Sequence, residues 1–213
     1  MYKVVVAVII FGVLSLLTSC KKHEKQANFY FDKGVLAAKK KNYQSCIFNL
    51  NKIDEMAPYS QESKSAAPIL IFCHYAMKDF EAMHSEINNF ESLYPTSSEL
   101  PYLYYIKTLS YYKTFKDHKK SLQIVESLES GIDKINEIDT TGSYSRNINM
   151  LIPFIEDVKE KNSLYIANNY AISQNFISAA ARYSQAYNSS NEDNKKIVEN
   201  SMDAVLRNLG IKK

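Results

Sequence analysis

The sequence predicts an all-α protein made of stacked helical hairpins, and three observations carry that prediction. Glycine and proline are scarce, 5 of each in 213 residues, so few positions can end a helix or turn a strand. Apolar residues recur every three or four positions along most of the chain, the period of one helix face. A set of apolar positions also repeats at a fixed offset, which marks an architecture assembled from copies. The makeup is that of an ordinary globular chain, with 46% hydrophobic and 23% charged residues. A net charge of +3 gives no reason to expect a nucleic acid partner. The basic clusters Lys39–Lys41 and Lys119–Lys120 read as solvated helix ends.

The first twenty residues stand apart. Lys3 precedes an apolar run from Val4 to Leu17, interrupted only by Gly12 and Ser15. The run is short of the roughly 20 residues a membrane-spanning helix needs and has the length of a signal-peptide core. It ends in Leu17-Thr18-Ser19-Cys20, an apolar residue, two small ones and a cysteine. This is the pattern of a bacterial lipobox, in which the cysteine thiol takes a diacylglyceryl group and the cysteine becomes the first residue of the mature chain. Residues 1–19 are therefore expected to be a lipoprotein signal peptide, Cys20 the lipidation site and residues 20–27 a polar tether. The remaining cysteines, Cys46 and Cys73, show no metal-ligand spacing. They fit either small core residues or a disulfide in an oxidising compartment.

The repeat is clearest in the first half. Tyr43 pairs with Phe80, Cys46 with Met83, Leu50 with Ile87, Ile53 with Phe90 and Pro58 with Pro95, always 37 positions apart. Within a unit the pattern is that of the tetratricopeptide repeat. Gly34 gives the first helix a small residue for close contact, Tyr43 opens the second, and Cys46, Leu50 and Ile53 follow on one face before Pro58 ends it. Ala167, Tyr170, Phe176, Ala179, Tyr183 and Ala186 form a later copy. Between the copies, Leu122, Val125, Leu128, Ile132, Ile135 and Ile138 make one apolar stripe, and Ile148, Ile152, Ile155 and Val158 another. Pro153 inside that second stripe should kink a helix or occupy its first turn. Ile197 or Val198, with Met202, Val205 and Leu209, marks a last helix closed by Gly210.

Helices are thus expected near 28–41, 43–56, 61–77, 79–93, 100–115, 118–138, 144–160, 163–174, 176–188 and 192–209. Paired in order, they give an all-α tetratricopeptide-like solenoid of about five helical hairpins, because no hairpin buries its apolar face alone. The loops at 94–100 and 139–143, rich in Pro, Ser, Thr and Gly, are both candidate hinges, and the second is taken to divide N-terminal repeats, 28–138, from C-terminal repeats, 139–213.

Several local runs carry a resemblance. Met56-Ala57-Pro58-Tyr59-Ser60-Gln61, Leu93-Tyr94-Pro95-Thr96-Ser97 and the run from Pro101 to Tyr112 (PYLYYIKTLSYY) are similar to segments of the BamD family, lipoproteins of the outer-membrane β-barrel assembly machine. Ser143 to Asn147 is similar to a further family turn. The resemblance spans almost the whole chain. It implies a non-catalytic scaffold, lipid-anchored on the periplasmic face of the bacterial outer membrane. The scaffold would bind the barrel component and other assembly lipoproteins, mainly through its C-terminal repeats, and would hold unfolded outer-membrane proteins on its N-terminal repeats. A stacked-helix surface can take an extended or helical peptide. Tyrosine suits such contacts through its large area and polar tip, so Tyr30, Tyr43, Tyr59, Tyr102, Tyr104 and Tyr105 are candidate peptide contacts.

The alternative is another tetratricopeptide lipoprotein coordinating peptidoglycan or envelope synthesis. An enzyme is not expected. There is no glycine-rich phosphate loop and no nucleophile elbow. His23, His74, His84 and His118 do not pair at metal-ligand spacing, so neither metal nor cofactor is expected. Glu91-Ser92 and Glu126-Ser127 echo the catalytic glutamate of helical transglycosylases but read as exposed polar residues.

Overall fold

The computed structural model describes residues 25–117, 122–190 and 192–211, and every regular element among them is helical. The signal-like segment, Cys20, His23, His118, Lys119 and Lys120 lie outside the described residues. The chain divides into two compact units, the first ending at Lys107 and the second starting at Thr108.

The first unit contains α1 (25–39), α2 (Tyr43–Met56), α3 (Gln61–Met77), α4 (Phe80–Leu93) and the start of α5 (Leu100–Thr114). Successive helices α2, α3 and α4 pack on one another. Ala27 and Ala37 of α1, Cys46, Leu50 and Ile53 of α2, and Ala66, Leu70 and Cys73 of α3 form one core. Gly34 acts as expected. A Cβ there would sit 2.3 Å from Leu50 Cδ2 and 2.6 Å from Leu50 Cγ, so only glycine lets α1 approach α2 this closely. Cys46 and Cys73 are joined by a disulfide, with Cα atoms 6.6 Å apart. Of the two states open to the sequence, the fold holds the bridge, which staples α2 to α3.

The repeat has a local physical basis. Before the aromatic at each second helix, Lys41, Lys78 and Gln174 adopt left-handed backbone, with φ of 58°, 61° and 59°. The next residue sends its N–H back five positions to a carbonyl: Asn42 to Ala37, Asp79 to His74 and Asn175 to Tyr170, at 2.9, 3.0 and 2.9 Å. This is the Schellman closure of one helix. The same residue caps the next helix, because the side chains of Asn42, Asp79 and Asn175 accept the N–H groups of Ser45, Ala82 and Ser178. One residue therefore ends one helix and starts another, which fixes the hairpin. The positions that follow are buried alike: Cys46, Met83 and Ala179, then Leu50, Ile87 and Tyr183, then Ile53, Phe90 and Ala186.

The second unit holds the end of α5, α6 (Leu122–Ile138), α7 (Ser143–Ile148), a 3₁₀ turn (Asn149–Leu151), α8 (Ile152–Ile172), α9 (Phe176–Ser189) and α10 (Glu192–Asn208). Val125, Leu128, Ile132 and Ile135 are buried along α6, whereas Leu122 is exposed. Thr108 of α5 comes so close to Gly131 that a Cβ there would meet its hydroxyl at 2.2 Å. Here the chain departs from the expected helices. The pair 144–160 and 163–174 is instead one short helix and one long one. Pro153 lies in the first turn of α8, where its missing N–H costs nothing. The break therefore falls before the proline, at 149–151, and nothing near 161–162 stops the long helix. Consequently Ile148, Ile155 and Val158 are buried, but Ile152 is exposed. In α10 Val198 and Val205 lie in the core, with Ile197 facing out.

Candidate functional site

In the first unit a groove of about 650 Å³ lies between the N-terminal half of α3 and the loop from α4 to α5. Its formation is local. Ser60 caps α3 by accepting the Ser63 N–H at 3.1 Å, and the Ser63 hydroxyl donates to Asp54 at the end of α2. This sets the entry angle of α3. Gln61, Lys64, Ser65, Pro68 and Ile69 then line one wall. Pro68 lies inside α3 and has no N–H, so the Lys64 carbonyl lacks the donor that a regular helix would supply. The opposite wall is Thr96, Ser97, Ser98 and Glu99, over a base formed by Phe90. That loop is turned by Pro95 and held by Ser97, whose N–H donates to the Tyr94 carbonyl and whose hydroxyl accepts from Glu99 N–H.

Tyr94 joins the walls. Its ring packs 5.0 Å from that of Phe90, and the Lys64 ammonium stands 5.0 Å from its centroid. The groove thus combines an aromatic and aliphatic base, a rim of hydroxyls and backbone, one cation and one carboxylate. It can bind a peptide non-covalently: apolar side chains on Phe90, Pro68 and Ile69, main chain along the hydroxyl rim, and a carboxylate near Lys64.

The six singled-out tyrosines fall in three places. Tyr30 and Tyr43 are half-buried against the first core, Tyr43 edge-to-face with Phe72 at 6.1 Å. Tyr59 is 75% exposed, with φ of 63°, in the turn between α2 and α3. Tyr102, Tyr104 and Tyr105 are half-buried along α5. None of the six is among the groove's lining residues. Of the lining residues, only Gln61, Thr96 and Ser97 lie in runs that carry the resemblance, and sequence reasoning singled out none of them as a contact.

A polar seam runs beside α4. His74 meets Asp79 at 3.2 Å. Burial raises the Glu86 carboxyl, with His74 opposing and Asp54 adding to the rise. The Lys107 ammonium donates to Asn88 at 2.9 Å and stands 5.7 Å from the Tyr104 centroid. Burial holds its pKa down against the pull of Glu91, and burial followed by Lys107 lowers that of His84. Glu91 is half-buried, not exposed as expected, and its charge acts on Lys107. Glu126 is exposed, and its neighbour Ser127 donates back to the Gln123 carbonyl on the same helix.

In the second unit the turn similar to a family turn is organised by Asp139. Its carboxylate accepts the N–H of Tyr144 at 2.7 Å, of Ser145 at 2.8 Å and of Thr141 at 3.2 Å, and the Thr141 hydroxyl at 2.7 Å. The bond from Ser145 leads in holding its pKa at about 2, joined by those from Thr141 and Tyr144 against the effect of burial.

Among the described residues no helix is long and apolar enough to cross a membrane. A family model described as "Outer membrane lipoprotein", YfiO, matches residues 23–210. The outer membrane protein assembly factor BamD of Rickettsia prowazekii is 24% identical over 179 residues, covering 83% of this chain and 68% of that protein. The factor of the same name from Caulobacter vibrioides is 17% identical over 160 residues, covering 75% of this chain and 52% of that protein. With nearly its whole length matched, the all-α, tetratricopeptide-like chain belongs to the YfiO family of outer membrane lipoproteins.

Proposed function

We propose that this protein is a non-catalytic scaffold in outer-membrane protein assembly, anchored through Cys20 to the periplasmic face of the outer membrane. It binds the barrel component of the assembly complex and holds segments of unfolded outer-membrane proteins. The observation that carries the substrate-holding part is the groove of Lys64, Pro68, Phe90 and Thr96–Glu99, a concave mixed surface of about 650 Å³. An unfolded segment offers what that surface takes: apolar side chains interleaved with unpaired backbone. The exposed ring of Tyr59 and the half-buried rings of Tyr30, Tyr43, Tyr102, Tyr104 and Tyr105 extend the contact area along the same unit. The relatives' names, assembly factors of outer membrane proteins, support the same reading.

The test is a gentle-detergent pull-down of the tagged full-length protein from its own envelope, with a photo-crosslinking residue at Ser65 or Ser98. Recovery of a large barrel protein, with crosslinks to unfolded outer-membrane proteins, is the expected result. Recovery of peptidoglycan enzymes without any barrel protein overturns it in favour of a general envelope scaffold.

A further inference from the structure

The first helix is apolar on two opposite faces, and only one of them is covered by the unit it belongs to. Ala27, Gly34 and Ala37 face the core. Phe29, Lys33 and Leu36 of α1, and Lys40 just past its end with its N–H still donating to the Leu36 carbonyl, are spaced by four, three and four residues, which places them within roughly 60° of one another on the far side of the helix. Phe29 is 52% and Leu36 51% exposed, and both lysines are exposed. The Lys33 ammonium lies 4.3 Å from the Phe29 centroid. Lys25 and Lys39 are also exposed on α1, and Asp32 is the one exposed acid among them, so this side of the helix is net positive.

We infer that this stripe of α1 is a docking surface for an anionic phospholipid headgroup layer. The inference rests on the lipid anchor at Cys20, because the anchor places the surface within reach. Five Cα steps separate Cys20 from Lys25, which holds the start of α1 within roughly 18 Å of the acylated residue. A segment tethered that closely is at high effective concentration near the bilayer, so a small patch suffices. Apolar side chains alternating with lysines on a helix face suit the boundary between headgroups and acyl chains. There the Phe29 ring and Leu36 enter the boundary, while the Lys33 and Lys40 stems extend along it and keep their ammonium groups with the phosphates. The pairing of Lys33 with Phe29 already holds cation and ring side by side in that arrangement. Docking would orient the first unit at the membrane as a tether alone cannot.

The chain contains no tryptophan, so Phe29→Trp in the full mature protein supplies a single indole reporter. Mass spectrometry of the mature N-terminus first establishes whether Cys20 is acylated. The acylated variant is then placed on vesicles of phosphatidylethanolamine and phosphatidylglycerol with brominated acyl chains. Met150→Trp, at a residue 77% exposed in the second unit, is the aqueous control. The expected result is blue-shifted, quenched emission from Phe29→Trp and neither change from Met150→Trp. Adding Lys33→Glu and Lys40→Glu should reduce the docked-to-free ratio about fivefold or more per lysine. Equal quenching on neutral phosphatidylcholine vesicles, or none on either, overturns the docking surface while leaving the anchor standing. An unacylated Cys20 overturns the anchor and the docking surface with it.

Discussion

Two residues show how a single side chain decides local structure. Gly34 lies against Leu50, itself only 1% exposed, so Gly34→Ala must displace a packed core side chain. Over-packing of this kind costs about 1–3 kcal/mol, and chemical denaturation should show that loss as a lower midpoint. Asp139 works through charge. Its carboxyl titrates at about 2 in the folded chain, against an ordinary value of 3.8. Because the folded value is depressed, the stability it contributes is present above about pH 4 and is lost as pH falls towards 2. Thermal melts at pH 6 and pH 2.5 should therefore show wild type losing more of its midpoint to acid than Asp139→Asn. Equal acid losses would mean that the carboxylate does not hold the 139–145 turn.

At the scale of elements, the disulfide is the strongest local constraint. Cys46 and Cys73 are 27 positions apart, a closure worth about 3–4 kcal/mol on the chain-entropy account. Reduction, or Cys46→Ala with Cys73→Ala, should lower the melting temperature of the unit by roughly 12–32 °C. The double variant should become insensitive to reductant, which separates loss of the bridge from general damage. Much at this scale was legible beforehand. The 37-residue offset located α2 and α4, and the matching burial of Leu50 with Ile87 follows from it. The α7–α8 region was not, because helical period persists through residues 144–174 and period alone does not mark a boundary. Pro153 was compatible with a kink or with a first turn. Only the packed chain selects the first turn, with Ile155 and Val158 buried and Ile152 exposed.

For the whole molecule, the prediction concerns binding. Lys64→Glu removes the cation beside Tyr94 and reverses the charge of one groove wall. Capture of an unfolded outer-membrane protein segment should weaken about fivefold, the equivalent of about 1 kcal/mol. The melting temperature should hardly change, since Lys64 is not part of the core. Crosslinking yield at Ser98, measured in both backgrounds, checks this. An unchanged yield would move substrate contact away from the groove and towards Tyr59 or the α5 tyrosines.

The sequence by itself determined the all-helical class, the repeat and the family, because each is written in local period, spacing and short runs such as Leu93 to Ser97. It also marked Gly34, since a glycine inside a helix needs a close neighbour to explain it. The tertiary structure alone decided the groove. Lys64 and Pro68 belong to α3, Phe90 to α4 and Thr96 to the loop after it, and their convergence depends on how α3 packs on α4 and how that loop turns. It likewise chose the disulfide over two free thiols, and it put Val198 of α10 in the core where Ile197 was the other candidate. Periodicity states which residues share a face. What covers that face is settled only when the helices pack.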